Sequence, residues 1–347
     1  MQRCMEKFST YMHDWLYAKE GYYATHNTIG KEGDFYTAVS SSMFFGGSIA
    51  KRALKSIDEF LGEETYIVEV GAHKGYLLAD IIQFIYTLRP ELLKTLSFCI
   101  VEPFKSNQEA QKQYFQDSFG NEVELLHVKS FNELTCKSAF VVANEIFDAF
   151  SCEVIKDDKM LYIEKDDVSF DTLDEKTKQL ATKYRIKQGE VALGYEAFAS
   201  DMFQAIEKFD FVTFDYGQKG SRGDFSLRIY EKHQVYPFFS FTSFVPKSQR
   251  SEKKLSSIYA KADITYDVNF EHLIGAFEQA GIKLQNFAVQ MQALVDFGLI
   301  ELLEMLKKNV SEEQYTSELN RVKTLIDPAF LGERFKMCHF RKEVVCS

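Results

Sequence analysis

A turn with two glycines, EVGAHKGY, follows the short apolar run YIV and precedes an amphipathic segment. Gly71 can take up a positive φ angle, and Gly75 permits close packing or the close approach of a ligand to the backbone. A helix that starts after such a turn favours anionic groups at its N-terminus. The spacing is G-x-x-x-G rather than the G-x-G-x-x-G of dinucleotide sites, which suits a nucleoside cofactor that carries no pyrophosphate. An ordinary glycine-bearing turn between a strand and a helix explains the same pattern.

Two acids accompany this turn. Glu69 lies two residues before the first glycine, where it can receive backbone N–H groups of the turn or, through water, the ammonium group of a cofactor. Glu102, in FCIVEP, lies at the tip of the next apolar run, where a carboxylate can accept hydrogen bonds from both hydroxyls of a ribose. An exposed acid at a strand end is the simpler interpretation of Glu102. The glycine turn and the acid together nevertheless favour a nucleoside cofactor.

A third set of polar residues follows the apolar run SAFVV, in ANEIFDAF. Asn144, Glu145 and Asp148 are expected at the same edge of the sheet as the glycine turn, with Phe147 and Phe150 beside them. A polar turn before the next element, with Asp148 as a helix cap, is the alternative. The combination of polar and aromatic residues at the mouth of a cofactor cleft favours substrate binding by this segment at the end of the strand. At least one of the two phenylalanines is nevertheless expected to pack in the core.

The elements that must position these residues alternate between short apolar strands and amphipathic helices. This alternation predicts an α/β fold with a parallel sheet covered on both faces. Strands are predicted at residues 65–70, 96–103, 123–128, 138–146, 208–217, 282–290 and 334–342, and helices at 75–89, 105–119 and 270–281, followed by two late helices.

Three stretches are expected around this sheet. Residues 1–62 should form an N-terminal helical extension whose loop, GDFYTA, folds over the cofactor as a lid, with Asp34, Tyr36 and Thr37 as its polar side chains. The domain built on the sheet would then occupy 63–347, with insertions at about 151–200 and 218–267. The first insertion should start with a hairpin turning at Asp157–Asp158, and the second should be a long polar connection. Its basic run, Lys247, Arg250, Lys253 and Lys254, is either a second closing loop or a solvated surface.

The net charge, the cysteine spacing and the lack of long apolar segments exclude several classes of protein. The net charge of −10 over 347 residues argues against a nucleic-acid partner, which would require a basic face. Six scattered cysteines with no C-x-x-C pair predict neither a metal site nor a disulfide framework. The first residues have no apolar core of a signal peptide, and no window of 18 apolar residues occurs. By exclusion, the sequence predicts a cytoplasmic location.

Four landmarks resemble the MidA family, which includes the mitochondrial complex I assembly factor that methylates protein arginine. They cover nearly the whole chain and occur in the family's order: GDFYTAVSSSMFFGGSIA, VEVGAHKGYLLADI, ANEIFDAFSCEVI, and FVTFDYG with ADITYDVNFEHL. The chain departs from the family where Ala72 and His73 replace the middle of G-P-G-R-G, so that His73 crowds or caps the cofactor. It also has Val39-Ser40 for P-E, Ser151 for a proline, and a longer segment after EKHQVYPFF.

The resemblance implies a class I methyltransferase (Rossmann-like) seven-stranded sheet of order 3-2-1-4-5-7-6, with S-adenosyl-L-methionine as cofactor. It implies methyl transfer to a protein side chain, arginine first. Glu145 would contact the guanidinium, Asp148 would support it or accept a proton, and Asn144 would orient the cofactor's amine. The expected partners are a protein substrate, a respiratory-complex subunit among the candidates, and a second copy of the chain as a candidate dimer partner. Two alternatives remain open: a non-catalytic assembly factor that retains the fold, and a small-molecule methyltransferase.

Overall fold

The computed structural model describes residues 5–25, 38–232 and 234–344. Within them, the strands are β1 Glu6–Lys7, β2 Tyr66–Val70, β3 Ser97–Val101, β4 Leu125–Val128, β5 Cys136–Asn144, β6 Cys152–Lys156, β7 Lys159–Glu164, β8 Asp167–Thr172, β9 Gln188–Ala192, β10 Ile206–Gln218, β11 Arg228–Glu231, β12 Gln234–Pro237, β13 Asp263–Thr265, β14 Val268–Asn269, β15 Lys283–Val289 and β16 Phe335–Lys342.

The helices are α1 Phe8–Tyr17, α2 Tyr22–Thr25, α3 Ala38–Ser41, α4 Phe44–Ser56, α5 Tyr76–Leu88, α6 Lys105–Phe119, α7 Glu175–Lys183, α8 Tyr195–Ala205, α9 Leu255–Ile258, α10 Phe270–Gln279, α11 Gln290–Asp296, α12 Leu299–Asn309 and α13 Glu312–Ile326. The α4 helix continues as a π-helix over Ile57–Leu61. Three helices therefore follow β15, where the sequence predicted two. The chain divides into a first unit, residues 1–35, 147–197 and 217–276, and a second unit, residues 36–146, 198–216 and 277–347.

The second unit is built on a sheet in which seven strands follow the order β15-β16-β10-β5-β2-β3-β4. Off this path, the two-residue strand β14 pairs in parallel with Gly217 and Gln218 at the end of β10. The strands β4, β3, β2, β5 and β10 run parallel to their neighbours, whereas β16 is antiparallel to both β10 and β15. Read from β4, this is the order 3-2-1-4-5-7-6 with an antiparallel last strand, so the predicted fold class is confirmed. The central strands are buried on both faces, which explains their continuous apolar runs.

Helices α4 and α5 approach each other closely in the core of this unit. A Cβ atom at Gly46 would lie 2.5 Å from Cβ of Asp80, so only a glycine fits where the two helices meet. Phe44 and Phe84 pack edge to face at this contact, with ring centroids 5.5 Å apart. This packing fixes the position of α5 against α4.

An ionic network lies in the amino-terminal half of β10. Asp210 is fully buried, and its carboxylate accepts hydrogen bonds from Arg341 at 2.7 and 2.8 Å and from Ser56 at 2.6 Å. Arg52 and His339 lie 3.4 and 3.0 Å from the same carboxylate. The network connects α4, β10 and β16, three elements that are distant in the sequence.

The first unit contains a sheet of order β1-β7-β6-β9, with β8 paired to β7. The β6–β7 hairpin turns at Asp157 and Asp158, as predicted, and both residues have positive φ angles of 50° and 58°. Helix α1 buries Phe8, Met12 and Trp15, and its tryptophan Nε1 donates a 2.6 Å hydrogen bond to the carbonyl of Ala262.

The predicted polar connection at 218–267 is not simply a loop. Strands β11, β12 and β13 form a three-stranded antiparallel sheet of order β12-β11-β13. These strands have three or four residues each and lie between polar segments, so their apolar alternation is too short to detect in the sequence. Two members of the predicted basic run are engaged within this unit: Arg250 donates to the carbonyls of Val245 and Ser243, and Lys253 pairs with Glu231.

Candidate cofactor and active site

The glycine turn joins β2 to α5 in the second unit. Gly71 and Gly75 have φ angles of +68° and +81°, and His73 between them also has a positive φ angle, +48°. A Cβ atom at Gly71 would lie 2.9 Å from Cγ2 of Ile146, and one at Gly75 would lie 2.9 Å from the ring of Phe115. Both glycines are therefore required by backbone conformation and by packing.

Glu69 lies beneath this turn and is 4% exposed. Its Oε2 accepts a 3.0 Å hydrogen bond from the backbone N–H of Leu78, in the first turn of α5. Burial raises the pKa of Glu69 to about 8, with further contributions from the charges of Asp80 and Glu102, against the lowering effect of the Leu78 N–H. Burial also raises the pKa of Asp80, on the same helix, to about 7.

Glu102 follows β3 at the neighbouring strand end. Because β2 and β3 pair in parallel with Val70 opposite Val101, the residues that follow them, Gly71 and Glu102, lie at the same edge of the sheet. Glu102 is 3% exposed, and its Oε1 accepts a 3.0 Å hydrogen bond from the N–H of Phe104. Burial raises the pKa of Glu102, and hydrogen bonds from Phe104 and the amides of Asn107 and Gln111 partly offset this rise.

Asn144 is the last residue of β5, the strand on the other side of β2, and Glu145 follows it. Asn144 Nδ2 donates a 2.9 Å hydrogen bond to Glu145 Oε1. Glu145 has a φ angle of +54°, and its N–H donates to the carbonyl of Phe214 at 2.9 Å. A non-glycine residue in this conformation is strained, and such strain concentrates at functional sites.

Asp148 belongs to the first unit, in a 3-10 turn at Phe147–Ala149. Its carbonyl accepts a 3.1 Å hydrogen bond from the N–H of Tyr266. Because Asp148 lies within this turn, it does not cap a helix in the way the alternative interpretation required. Phe147 is fully buried and stacks on Phe150 with centroids 5.3 Å apart, so at least this phenylalanine packs in a core, as expected.

The second unit thus brings the predicted residues Glu69, Gly71, Gly75, Glu102, Asn144 and Glu145 to one edge of its sheet. The predicted residues Asp34 and Thr37, with Tyr36 of the same loop, lie outside the described residues. Sequence reasoning missed Asp80 and Gln111. Asp80 is the one acid in the apolar helix α5 and belongs to the landmark VEVGAHKGYLLADI, which is the signal that could have identified it. Gln111 lies among ordinary polar residues of α6, and no local signal distinguishes it.

His73 stands where the MidA motif G-P-G-R-G has its middle glycine. Burial, with a smaller effect of Lys74, lowers the pKa of His73 to about 4, so the ring is neutral at pH 7. Its Nε2 is buried and accepts or donates no hydrogen bond within the described part of the chain. A buried nitrogen without a protein partner beside the turn is a candidate for contact with a bound cofactor.

The edge fits S-adenosyl-L-methionine by its donor and acceptor groups. The carboxylate of Glu102 suits two ribose hydroxyls, and the turn allows close approach to the backbone. The cofactor carries a positive charge, and Glu69 and Asp80 form no ion pair with a basic residue within the described residues. Among these residues, no group of three or more histidine, cysteine, aspartate or glutamate side chains is arranged to hold a metal ion.

The sheet order and this edge define a class I S-adenosyl-L-methionine-dependent methyltransferase. Residues 49–288 match the model of a family of S-adenosyl-L-methionine-dependent methyltransferases, and the chain belongs to that family. S-adenosyl-L-methionine is therefore its cofactor, and the resemblance recognised in the sequence is confirmed.

Relatives at lower identity are consistent with this family. The chain is 22% identical to the mitochondrial protein arginine methyltransferase NDUFAF7 homolog of Drosophila melanogaster and to the mitochondrial protein arginine methyltransferase NDUFAF7 of Rattus norvegicus. Each alignment covers 91% of this chain and 76% of the relative.

Two solved structures have the same fold. A COG1565 superfamily member from Burkholderia thailandensis, bound to S-adenosyl-homocysteine, superposes with a TM-score of 0.80 at 19% identity. A native structure of a COG1565 superfamily protein from the same organism gives a TM-score of 0.77 at 20% identity. Both cover 99% of this chain and 89% of the matched chain.

The predicted cytoplasmic location is wrong. Both curated relatives are named as mitochondrial proteins, which contradicts it. The prediction rested on the lack of a recognisable signal peptide and membrane segment, and neither feature distinguishes the cytosol from an organelle interior. Within the described residues, no helix is both long and apolar enough to cross a membrane.

Proposed function

We propose that this chain transfers the methyl group of S-adenosyl-L-methionine to an arginine side chain of a protein. The observation that carries the proposal is the Asn144–Glu145 tip, which places a carboxylate next to the glycine turn at the edge of the sheet. The names of the two curated relatives, both protein arginine methyltransferases, support the choice of arginine.

The chemistry of arginine explains the need for this carboxylate. A guanidinium group stays protonated, with a pKa above about 12, and its delocalised charge makes its nitrogens poor nucleophiles. A carboxylate can hold the planar group by two parallel hydrogen bonds and draw its charge away from the attacking nitrogen. The side chain of Glu145 is half-buried, and the amide of Asn144 orients its Oε1.

Methyl transfer is an in-line displacement, so the protein acts mainly by positioning the nucleophile. In this proposal Glu145 contacts the guanidinium and Asn144 also orients the cofactor's amine. Glu102 accepts hydrogen bonds from the ribose, and Glu69 receives the ammonium group through water. The cofactor supplies the electrophilic methyl group. Asp148, as a supporting or proton-accepting group, and the loop with Asp34 and Thr37, as a lid, stay predictions.

The location and partners are proposed on the same basis. A mitochondrial location follows from the names of the relatives. The family resemblance makes a respiratory-complex subunit the candidate substrate, and a homodimer stays a prediction.

The test is methyl transfer by a Glu145→Gln variant. Purified protein and radiolabelled S-adenosyl-L-methionine are added to mitochondrial protein from cells that lack this chain, and methylarginine is identified by mass spectrometry. We expect Glu145→Gln to keep the fold and the cofactor Kd while transfer falls at least about a hundredfold, because the amide cannot neutralise a guanidinium. Glu109→Gln, an exposed acid on α6, should transfer at the wild-type rate.

Each other outcome has a clear meaning. Wild-type transfer by Glu145→Gln would show that Glu145 is not the arginine anchor. Label in small molecules alone would favour a small-molecule methyltransferase. Cofactor binding without transfer to any acceptor would favour the non-catalytic assembly factor, for which the altered residues Ala72 and His73 are the sequence argument.

A further inference from the structure

Gln111 is a fully buried polar side chain that no motif assigns. It lies on α6, yet its amide reaches the glycine turn, the acid after β3 and a histidine on β4. We propose that Gln111, oriented by His127, is a positioning residue that holds the glycine turn and Glu102 in a fixed relation for cofactor binding. This inference rests on the proposed role of Glu102 at the ribose.

The three contacts of the amide use both hydrogens of its NH2 group and one lone pair of its oxygen. Gln111 Nε2 donates to the carbonyl of His73 at 2.8 Å and makes a longer contact of 3.4 Å with Oε2 of Glu102. Gln111 Oε1 lies 3.0 Å from Nε2 of His127. A single side chain therefore connects both halves of the proposed cofactor site.

The acceptors fix the orientation of this amide. The His73 carbonyl and the Glu102 carboxylate both accept hydrogen bonds, so the NH2 group of Gln111 must face them and its oxygen must face His127. His127 must then carry its proton on Nε2. Burial, with a smaller effect of Lys112, lowers the pKa of His127 to about 4, so a neutral ring with this tautomer is present at neutral pH.

These hydrogen bonds hold the carboxylate of Glu102 in one orientation before a ligand binds. Its Oε1 accepts the N–H of Phe104, its Oε2 faces Gln111, and the amide of Asn107 also donates to the carboxylate, so protein donors fix the plane of this group. A carboxylate held in one plane presents its oxygens in a fixed direction to the two adjacent hydroxyls of a ribose. Loss of Gln111 would free the carboxylate to rotate and would leave the His73 carbonyl without this donor, so the ligand would have to order both.

The experiment is a double-mutant cycle measured by calorimetric titration with S-adenosyl-homocysteine. Gln111→Leu removes both donors at nearly constant volume, and we expect the Kd to rise about five- to tenfold. If Gln111 acts through Glu102, the same substitution in a Glu102→Ala background should change the Kd less than about twofold. Gln113→Leu, an exposed glutamine on the same helix bonded to Asp117, should leave the Kd unchanged.

A second pair of variants separates positioning from folding. His127→Phe removes the donor to Gln111 and should raise the Kd severalfold, whereas His127→Gln keeps a donor and should restore most of the affinity. Thermal unfolding of every variant shows whether the fold persists.

The outcomes distinguish the two proposals. An unchanged Kd in Glu102→Ala overturns the ribose assignment and this inference with it. A weakened Glu102→Ala together with an unchanged Gln111→Leu overturns this inference alone. Equal fold-changes for Gln111→Leu in both backgrounds would show a purely structural glutamine and would also overturn it.

Discussion

Asp210, on one side, and Glu69 and Glu102, on the other, are buried acids of the second unit whose pKa values are shifted in opposite directions. Asp210 is fully buried, and Glu69 and Glu102 are 4% and 3% exposed. Burial alone would raise the pKa of Asp210, but hydrogen bonds from Arg341 and Ser56, together with the nearby His339, hold it well below its usual range. The pKa values of Glu69 and Glu102 are raised.

The opposite pKa shifts follow from the charge of the groups that surround each carboxylate. Asp210 is neutralised by arginines of the protein itself, which lie on α4 and β16. Glu69 and Glu102 are bonded by neutral donors, and no ion pair reaches either of them within the described residues. An acid whose partner belongs to the protein stabilises the fold. An acid that is buried without a cation destabilises it and is available to a ligand.

The largest expected effect is the loss of the Asp210 network. We expect Asp210→Asn to lower the free energy of unfolding by about 3 kcal/mol, because the half-buried Arg341 and Arg52 would then lose their counter-charge. Chemical denaturation of the purified variant measures this. A decrease below about 1 kcal/mol would show that the arginines find other partners and that the network does not hold the sheet together.

A smaller change in the free energy of unfolding is expected when the pH is raised. Glu69 and Asp80 have folded pKa values of about 8 and about 7, above the ordinary values near 4 of an unfolded chain. Between these values the folded protein binds protons that the unfolded chain has released, so stability falls as pH rises through this window. His73 and His127 have pKa values lowered to about 4, so they oppose this trend only below about pH 6.5.

The effect of Glu69 and Asp80 is therefore best measured between about pH 6.5 and about pH 8, where these two histidines do not oppose it. The free energy of unfolding without cofactor should fall by about 1–2 kcal/mol across this window, and Glu69→Gln should flatten the slope. Denaturation series at several pH values in this window provide the measurement. A stability that rises with pH there, or a slope that Glu69→Gln leaves unchanged, would contradict the view that this carboxyl is protonated in the folded protein.

The smallest change in stability is expected for an exposed acid, which serves as the control for the two preceding predictions. Glu109 is exposed and lies 3.8 Å from Lys105 in an i,i+4 pair on α6. Glu109→Gln should change the free energy of unfolding by less than about 0.5 kcal/mol. A larger change, measured by the same denaturation, would mean that surface charge contributes to the differences attributed to burial.

Much of the fold could be predicted because its signals are local. The apolar runs around Val68 and Val141 predict strands, and the glycine turn and Glu102 are recognisable from their places after such runs. The strand order came from the family resemblance. The short strands β11–β13 were missed because each has too few residues to show a period.

The partners of the buried acids could not be predicted in the same way. Asp210 and Arg341 are separated by 131 residues, and Gln111 contacts a carbonyl 38 residues away. Nothing near Gln111 in the sequence distinguishes it from Gln113, which is exposed on the same helix. Such pairs depend on strand register and helix packing, which only the tertiary structure shows.

The most direct test compares one acid of each kind in a single titration. We expect Glu102→Ala to raise the Kd for S-adenosyl-L-methionine about 5- to 150-fold, because two hydrogen bonds to a ribose are lost, while its stability stays within about 1 kcal/mol of wild type. Asp210→Asn, titrated where it is folded, should bind within about threefold of wild type despite its lower stability. Wild-type affinity in Glu102→Ala, or equal losses of affinity in both variants, would contradict the division between acids that hold the fold and acids that hold the ligand.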